Sequence, residues 1–269
     1  GLAGTYMPGL QILNARLKDT ERISAVPWYT SCFGIGTGLS YFIMGNIIEK
    51  FNYHFAAALS LLGLSLSMVI IISLVQPIPI LINSTINRHP LDFRPVFKRS
   101  RSMSYILAYG AHTFELFAYR SWSVALFFFL GTKSSPTLSM TTITSIVSLI
   151  TLTGMTASIL GAKLAQKYNR NDVIILIGLC SFFMAIFAAI SVNTILVLAI
   201  IILWIYNFFI MLDSGALTAG AIESSDPDIR GAVLAVHSVV GFTGGALGGP
   251  LIGLILDHFG GETSEVAWS

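Results

Sequence analysis

Long apolar runs alternate with short polar connections along this chain, and the pattern predicts a bundle of membrane-spanning helices. A spanning helix needs about 20 mostly apolar residues. The chain holds one shorter run and seven runs of about that length, at 1–15, 23–48, 55–76, 103–130, 138–160, 173–191, 194–221 and 231–256. The expected fold class is therefore an all-α integral membrane protein.

One connection is much longer than the others and divides the chain. Residues 77–102 contain four prolines and five basic residues. Proline interrupts helices, and charged side chains resist burial. We therefore expect a linker at the membrane surface or in water. It separates the end of one helical half (1–76, about three helices, the first partial) from most of a second half (103–269, five helices).

The 15 lysines and arginines lie mostly on one side of the membrane if every run spans once. Twelve lie in loops on the side of the long linker, two lie in loops on the other side, and Arg120 lies inside a run. Basic residues are enriched in the cytoplasmic loops of membrane proteins. This distribution places the linker in the cytoplasm.

Composition argues against several other classes of protein. The chain is 54% hydrophobic and 10% charged, whereas a soluble domain is about 25% charged. Its cysteines and histidines show no metal-ligand spacing, and no hydrolase, metalloprotease or phosphate-loop motif occurs. Topology explains the basic loops without nucleic-acid binding. We therefore expect no enzyme, no metal and no cofactor.

An internal repeat relates the two ends of the chain. With a shift of 208 residues, residues 22–51 align with 230–259 without a gap, and Gly36 and Gly45 meet Gly244 and Gly253. Both copies follow a cytoplasmic loop and run outward, so the repeat is parallel. A duplicated six-helix unit predicts about twelve helices in the intact protein, as in transporters built from two parallel halves.

Four stretches make the chain resemble the major facilitator superfamily from its fourth to its eleventh helix. They are GLAGTYMPGL, FGIGTGLSYFIMG, AKLAQKYNRN and SSDPDIRGAVLAVHSVVGFTGGALGGPLIG. The resemblance implies two parallel six-helix halves that transport a small solute, and a chain lacking the first three helices and the last one. We further expect a multi-pass protein of the cell membrane that is monomeric when complete.

The loop at 162–171 resembles the trailing copy of that family's loop motif, usually written G-x-L-A-D-R-x-G-R-R. Its candidate gating residues are Lys163, Gln166, Lys167 and Arg170. Gln166 stands where the family has Asp, so a charge that the family uses in its conformational switch is lost. Asn169 stands at the second Gly, and Asn can adopt the left-handed backbone conformation that Gly provides.

The run at 103–130 is the most polar of the expected helices. Helical periodicity places six candidate cavity residues on one face and its edges: Tyr105, Tyr109, His112, Glu115, Tyr119 and Arg120. Ionisable groups at the bilayer centre cost about 2.5 kcal/mol or more each, so we expect this helix to line a polar cavity. Glu115 and Arg120 either neutralise each other or neighbouring partners, or they serve the solute. In the second case Arg120 attracts an anionic group, and Glu115 or His112 carries a proton. Snorkelling of Arg120 to the outer surface is a further alternative.

A second polar helix is expected at 194–221. Asn207 contributes to a polar stripe there, and Asp213 lies near mid-membrane. A lone acid at that depth indicates a functional site, with a structural salt bridge as the alternative. Its expected partners are Arg120 and His237, and His237 is itself either a packing residue or part of the cavity.

Small residues are concentrated in the two repeat copies. The candidate helix-packing residues are Gly36, Gly45, Gly244, Gly249, Pro250 and Gly253. Small residues let helix backbones approach closely in lipid. The contacts are either static or a sliding surface on which the two halves rock.

Together these features favour secondary active transport of a small solute by alternating access, with or without proton coupling. Facilitated diffusion and a non-transporting receptor or scaffold on the same fold are the alternatives. The expected partners are the solute and the lipid bilayer, with a proton or another ion for coupling.

The linker's expected side of the membrane can be tested by cysteine labelling. We predict that a cysteine at position 87, in a background without Cys32 and Cys180, reacts with a membrane-impermeant reagent only after cells are permeabilised. Labelling of intact cells would reverse the topology.

Overall fold

The described part of the chain consists of helices joined by short connections. The computed structural model describes residues 6–17, 19–75 and 92–269. The start of the first expected run and most of the linker, with the labelling position 87, lie outside these residues. The helices are α1 (Tyr6–Arg16), α2 (Asp19–Lys50), α3 (Tyr53–Leu74), α4 (Arg94–Phe97), α5 (Ser100–Thr132), α6 (Met140–Lys167), α7 (Arg170–Ser191), α8 (Leu196–Leu212), α9 (Ser214–Glu223), α10 (Arg230–His258) and α11 (Glu265–Trp268), with a 3-10 turn at Pro227–Ile229.

Five helical segments among the described residues are long and apolar enough to cross a membrane. They are α3, α6, α7, α8 together with α9, and α10. The expected spans at 23–48 and 103–130 also form long helices, α2 and α5, with 32 and 33 residues. Their sequences are more polar, and α5 buries several of its polar side chains against other helices. The all-α membrane fold class is thereby confirmed.

One pair of helix ends follows the internal repeat. Helix α2 ends at Lys50 and α10 ends at His258, which are 208 positions apart. The two copies therefore share this helix end as well as sequence, and a rotation relating them about the membrane normal stays a prediction.

The expected single helix at 194–221 is broken at Asp213. Helix α8 ends at Leu212 and α9 begins at Ser214. The backbone of α6 packs directly against the break, because a Cβ added to Gly161 would lie 1.5 Å from the carbonyl oxygen of Leu212. Gly161 therefore permits an approach that no other residue type allows, and it supports the broken helix from the side.

The end of the linker packs against the second half of the chain. Helix α4 and the start of α5 lie within the expected linker 77–102, whose place in the cytoplasm stays a prediction. Val96 is buried among residues of α5, α9 and α10. Arg99 forms an ion pair with Asp226, and Ser102 Oγ donates a hydrogen bond to the carbonyl oxygen of Ser224. Apolar burial of Val96 and these polar contacts fix the linker's end to the loop before α10.

Most of the expected packing glycines lie in close helix contacts. A Cβ at Gly244 would lie 2.2 Å from the carbonyl oxygen of Gly110, and one at Gly45 would lie 1.8 Å from Thr144 Oγ1. Gly249 and Gly253 similarly face Ser121 and Trp122, while Pro250 lies inside α10.

Gly36 differs from the other glycines of this set. A Cβ there would meet no described atom within 4 Å. The packing expectation therefore does not extend to Gly36 within the described residues, although it is the repeat counterpart of Gly244.

This difference gives a matched pair of variants. We expect Gly244→Ala to lower the free energy of unfolding by about 1–3 kcal/mol, because the added methyl meets backbone that cannot rotate away. Gly36→Ala should leave it nearly unchanged. Thermal unfolding of the detergent-solubilised full-length protein measures both, and equal losses of Tm would contradict the contact at Gly244.

Candidate solute site

Helix α5 occupies the centre of the second half of the chain. It packs against α10, α9, α6 and α8, so most of its circumference faces protein. Its polar side chains point into three different contacts, formed with α2, with α7 and α8, and with α9 and α10. Each contact has its own chemistry.

Arg120 is a buried cation with no carboxylate partner among the described residues. It is 6% exposed. Its Nη2 lies 3.7 Å from the sulfur of Met211 on α8, and its guanidinium carbon lies 5.5 Å from the centroid of the Phe33 ring on α2. Nε and Nη1 have no hydrogen-bond acceptor in the described part of the chain. Arg120 therefore neither snorkels to the surface nor pairs with Glu115.

Glu115 is held on another side of α5. Its Oε1 accepts hydrogen bonds from Ser181 Oγ at 2.7 Å and from Tyr206 OH at 3.0 Å. Ser181 lies on α7 and Tyr206 on α8, so the carboxylate binds three helices of the same half together. Hydroxyl donors satisfy this oxygen without a cation.

Asp213 contacts His112 at the break between α8 and α9. Asp213 Oδ1 lies 2.7 Å from His112 Nδ1, and both side chains are largely buried. The contact has the distance of an ion pair, although Oδ1 accepts no well-aligned hydrogen bond from a described residue. The expected partners of Asp213 were Arg120 and His237, and the structure gives His112 instead.

An aromatic stack lies beside the Asp213–His112 pair. The Tyr109 ring stacks on His237 at 3.9 Å and on His112 at 5.7 Å between centroids. His237 is fully buried, and its Nε2 lies 3.4 Å from Thr218 Oγ1. Its Nδ1 has no partner among the described residues. Two histidines and one acid therefore lie within a single buried cluster of α5, α8–α9 and α10.

The remaining predicted cavity residues bridge helices. Tyr105 OH donates to Asn171 Oδ1 at 2.6 Å, at the start of α7. Tyr119 OH donates to the carbonyl oxygen of Leu203 at 3.3 Å. Asn207 Nδ2 donates to the carbonyl oxygen of Ile150 at 3.0 Å. All three join helices of the second half.

The predicted gating loop contributes one ion pair. Arg170 Nη1 lies 2.9 Å from Glu223 Oε2, which joins the start of α7 to the end of α9. Lys163, Gln166 and Lys167 are exposed. Asn169 does not use the left-handed conformation that is open to Asn: its backbone is extended, and its side chain accepts a hydrogen bond from the backbone N–H of Asn171 as the cap of α7.

A groove runs along α2 next to Arg120. Its volume is about 560 Å³, and it is lined by Cys32, Phe33, Gly36, Thr37, Ser40 and Tyr41. Phe33 also faces the Arg120 guanidinium, and Tyr41 OH donates to the Arg120 carbonyl oxygen at 3.0 Å. The groove and the buried cation therefore share two aromatic residues.

Sequence reasoning missed four of the residues that complete these contacts. Ser181 is a single hydroxyl in an apolar run and gave no signal. Tyr206 adjoins Asn207 on the helix expected to be polar, so its hydroxyl was a detectable candidate. Phe33 and Tyr41 lie in a glycine-rich run that indicated helix packing, and only the fold places them beside Arg120.

The long apolar helices define an all-α, multi-pass membrane protein. The family model of the Major Facilitator Superfamily matches residues 1–264. The chain belongs to this superfamily and serves membrane transport of a solute. Comparisons with curated proteins and with solved structures give no match.

The pairing of acids and bases predicts two different mutant cycles. We expect His112→Gln and Asp213→Asn to be coupled by about 0.5–3 kcal/mol in the free energy of unfolding, because the residues are in contact. Glu115→Gln and Arg120→Gln should be additive within about 0.5 kcal/mol, because they share no partner. Unfolding of the full-length protein in mixed micelles measures both cycles. Strong coupling in the second cycle alone would overturn the assigned pairs.

Proposed function

We propose that the protein is a secondary active transporter of a small solute, working by alternating access and driven by protons. The observation that carries this proposal is the buried contact between Asp213 and His112 at the broken helix. The parallel repeat and the family membership support the transport cycle. In this proposal the protein works in the cell membrane as a monomer.

The Asp213–His112 pair is the proposed proton carrier. Ionisable residues inside membrane proteins are rare and mark ion and proton pathways. Broken helices in transporters place free backbone groups and binding residues near mid-membrane. A proton that binds this pair changes its net charge, and therefore the attraction between α5 and the α8–α9 break. In this proposal, proton binding to the pair thus drives movement of α5 relative to α8 and α9.

Glu115 is the weaker candidate for the proton carrier. Its Oε1 already accepts two hydroxyl hydrogen bonds within one half of the protein. We therefore assign Glu115 to holding α5, α7 and α8 together.

Ion pairs at the expected cytoplasmic ends of the helices are the proposed gate. Arg170 pairs with Glu223, and Arg99 pairs with Asp226, with both acids largely exposed. The Arg99–Asp226 pair is exposed on both sides, and such pairs contribute little, typically about 0–1 kcal/mol, so it breaks and reforms easily. Lys163 and Lys167 lie beside this contact region in the proposal and tune it by their charge, whereas Gln166 is neutral.

Uptake by the full-length protein in proteoliposomes tests the coupling. Electrical recording on supported membranes first identifies solutes that evoke a current, and a labelled form of one such solute is then followed. We expect Asp213→Asn to abolish accumulation driven by an imposed proton gradient while solute exchange at equilibrium persists. The amide keeps the side chain's size but no longer carries a proton.

Glu115→Gln is the matched control on the neighbouring acid. It should accumulate solute against the gradient, because the amide oxygen still accepts from the Ser181 and Tyr206 hydroxyls. Uphill accumulation by Asp213→Asn at the wild-type rate would remove the proposed proton carrier. Solute flux through the wild-type protein that does not depend on the proton gradient would instead indicate facilitated diffusion. Absence of flux for every solute would indicate a receptor or scaffold.

A further inference from the structure

We infer that the solute is an organic anion whose carboxylate or phosphate group pairs with Arg120. This inference names the substrate class and rests on the proposed transport function. Its basis is that Arg120 is only 6% exposed and that two of its guanidinium nitrogens have no acceptor among the described residues.

The neighbouring acids leave Arg120 without a counter-charge. Glu115, on the same helix, is bound by hydroxyls of α7 and α8, and Asp213, next to the contact residue Met211, lies against His112. The described contacts of the guanidinium are a thioether sulfur on α8 and an aromatic ring on α2. Neither carries a negative charge.

A buried cation of this kind is unfavourable unless an anion compensates it. Removal from water costs a charged group far more than it costs a neutral one, and an uncompensated buried charge is strongly destabilising. The ligand-free protein carries this cost, and an anion that binds Arg120 offsets part of it. Guanidinium is suited to that role, because its planar donors match carboxylate and phosphate groups and it keeps its charge when buried.

The groove along α2 supplies room for the rest of the solute. Phe33 lines the groove and its ring lies 5.5 Å from the guanidinium carbon, so the guanidinium lies close to the groove. Tyr41, which also lines the groove, donates a hydrogen bond to the backbone carbonyl of Arg120. Thr37 and Ser40 add hydroxyls to the same wall. When an anionic group moves past Phe33, Arg120 exchanges its cation–π contact with Phe33 for an ion pair with the solute. The rest of the solute stays against aromatic and hydroxyl side chains.

Ligand-dependent thermal stability of the purified full-length protein in neutral detergent tests the charge class. The probes are anions matched with neutral analogues: acetate and acetamide, lactate and lactamide, benzoate and benzamide, and glucose 6-phosphate and glucose. Sodium chloride at equal ionic strength corrects for salt effects. We expect at least one anion to raise the Tm saturably while its neutral analogue does not.

Substitutions at Arg120 connect this binding to the residue. Arg120→Gln should weaken the apparent affinity of that anion at least about tenfold, because a charge-assisted pair is lost. Arg120→Lys should weaken it less, because the charge remains without the planar donors. Arg101→Gln, at an exposed arginine near the start of the same helix, should bind like the wild type. The Tm of ligand-free Arg120→Gln should not fall, because Arg120 has no charged partner among the described residues.

A second pair of variants tests the site without removing the arginine. Met211→Glu places a carboxylate beside the guanidinium and should abolish the anion-dependent shift, whereas Met211→Gln should keep it. If Arg120→Gln fails to fold, the two Met211 variants test whether the anion binds beside Arg120.

Three results would overturn the inference: no anion raises the Tm, the shift survives in Arg120→Gln, or neutral analogues act as well as anions. The two proposals fail separately. Proton-driven transport of a neutral solute would leave the transport function standing, while Arg120-dependent anion binding without flux would leave only the anion site.

Discussion

Burial of polar and charged side chains inside a bilayer is the constraint on which this structure depends. Lipid offers no hydrogen-bond partners, so each such group must find one within the protein or face a polar cavity. Helix α5 carries the largest set of these groups, and it lies among α6, α8, α9 and α10. Its neighbours expose mainly apolar side chains outward; α7, for example, exposes Leu176 and Phe183.

The partners found on α5 distinguish the charges that we assign to structure from those that we assign to function. Hydroxyls within one half satisfy Glu115, for which we propose a holding role. Asp213 and His112 form a close but imperfectly aligned contact, which we propose as the proton carrier. Arg120 has no anionic partner among the described residues, at the boundary between α5 and α2. The three sites therefore lie in different helix contacts, and each can be tested by a different experiment.

Close backbone contacts position these side chains. The approach of Gly161 to the Leu212 carbonyl supports the break that carries Asp213, and the approach of Gly244 to the Gly110 carbonyl sets α10 against α5. The second contact brings His237 of α10 onto the Tyr109 ring of α5. Small residues thus act on the candidate site indirectly, since they fix the distance between the helices that carry its ionisable groups.

The sequence alone determined the helical membrane class, the repeat spacing and the polar character of α5, because these follow from hydrophobic run length and helical periodicity. It also placed Glu115 and Arg120 on opposite edges of one face and left open whether they pair. The tertiary structure decided which groups meet. In the structure the helix is broken at Asp213, and this acid contacts His112. Val96 of the linker is buried against the second half, and Gly244 packs closely whereas its counterpart Gly36 does not. Which side chains meet across helices depends on how the helices pack around α5. Hydrophobicity and helical periodicity within each segment do not determine that packing.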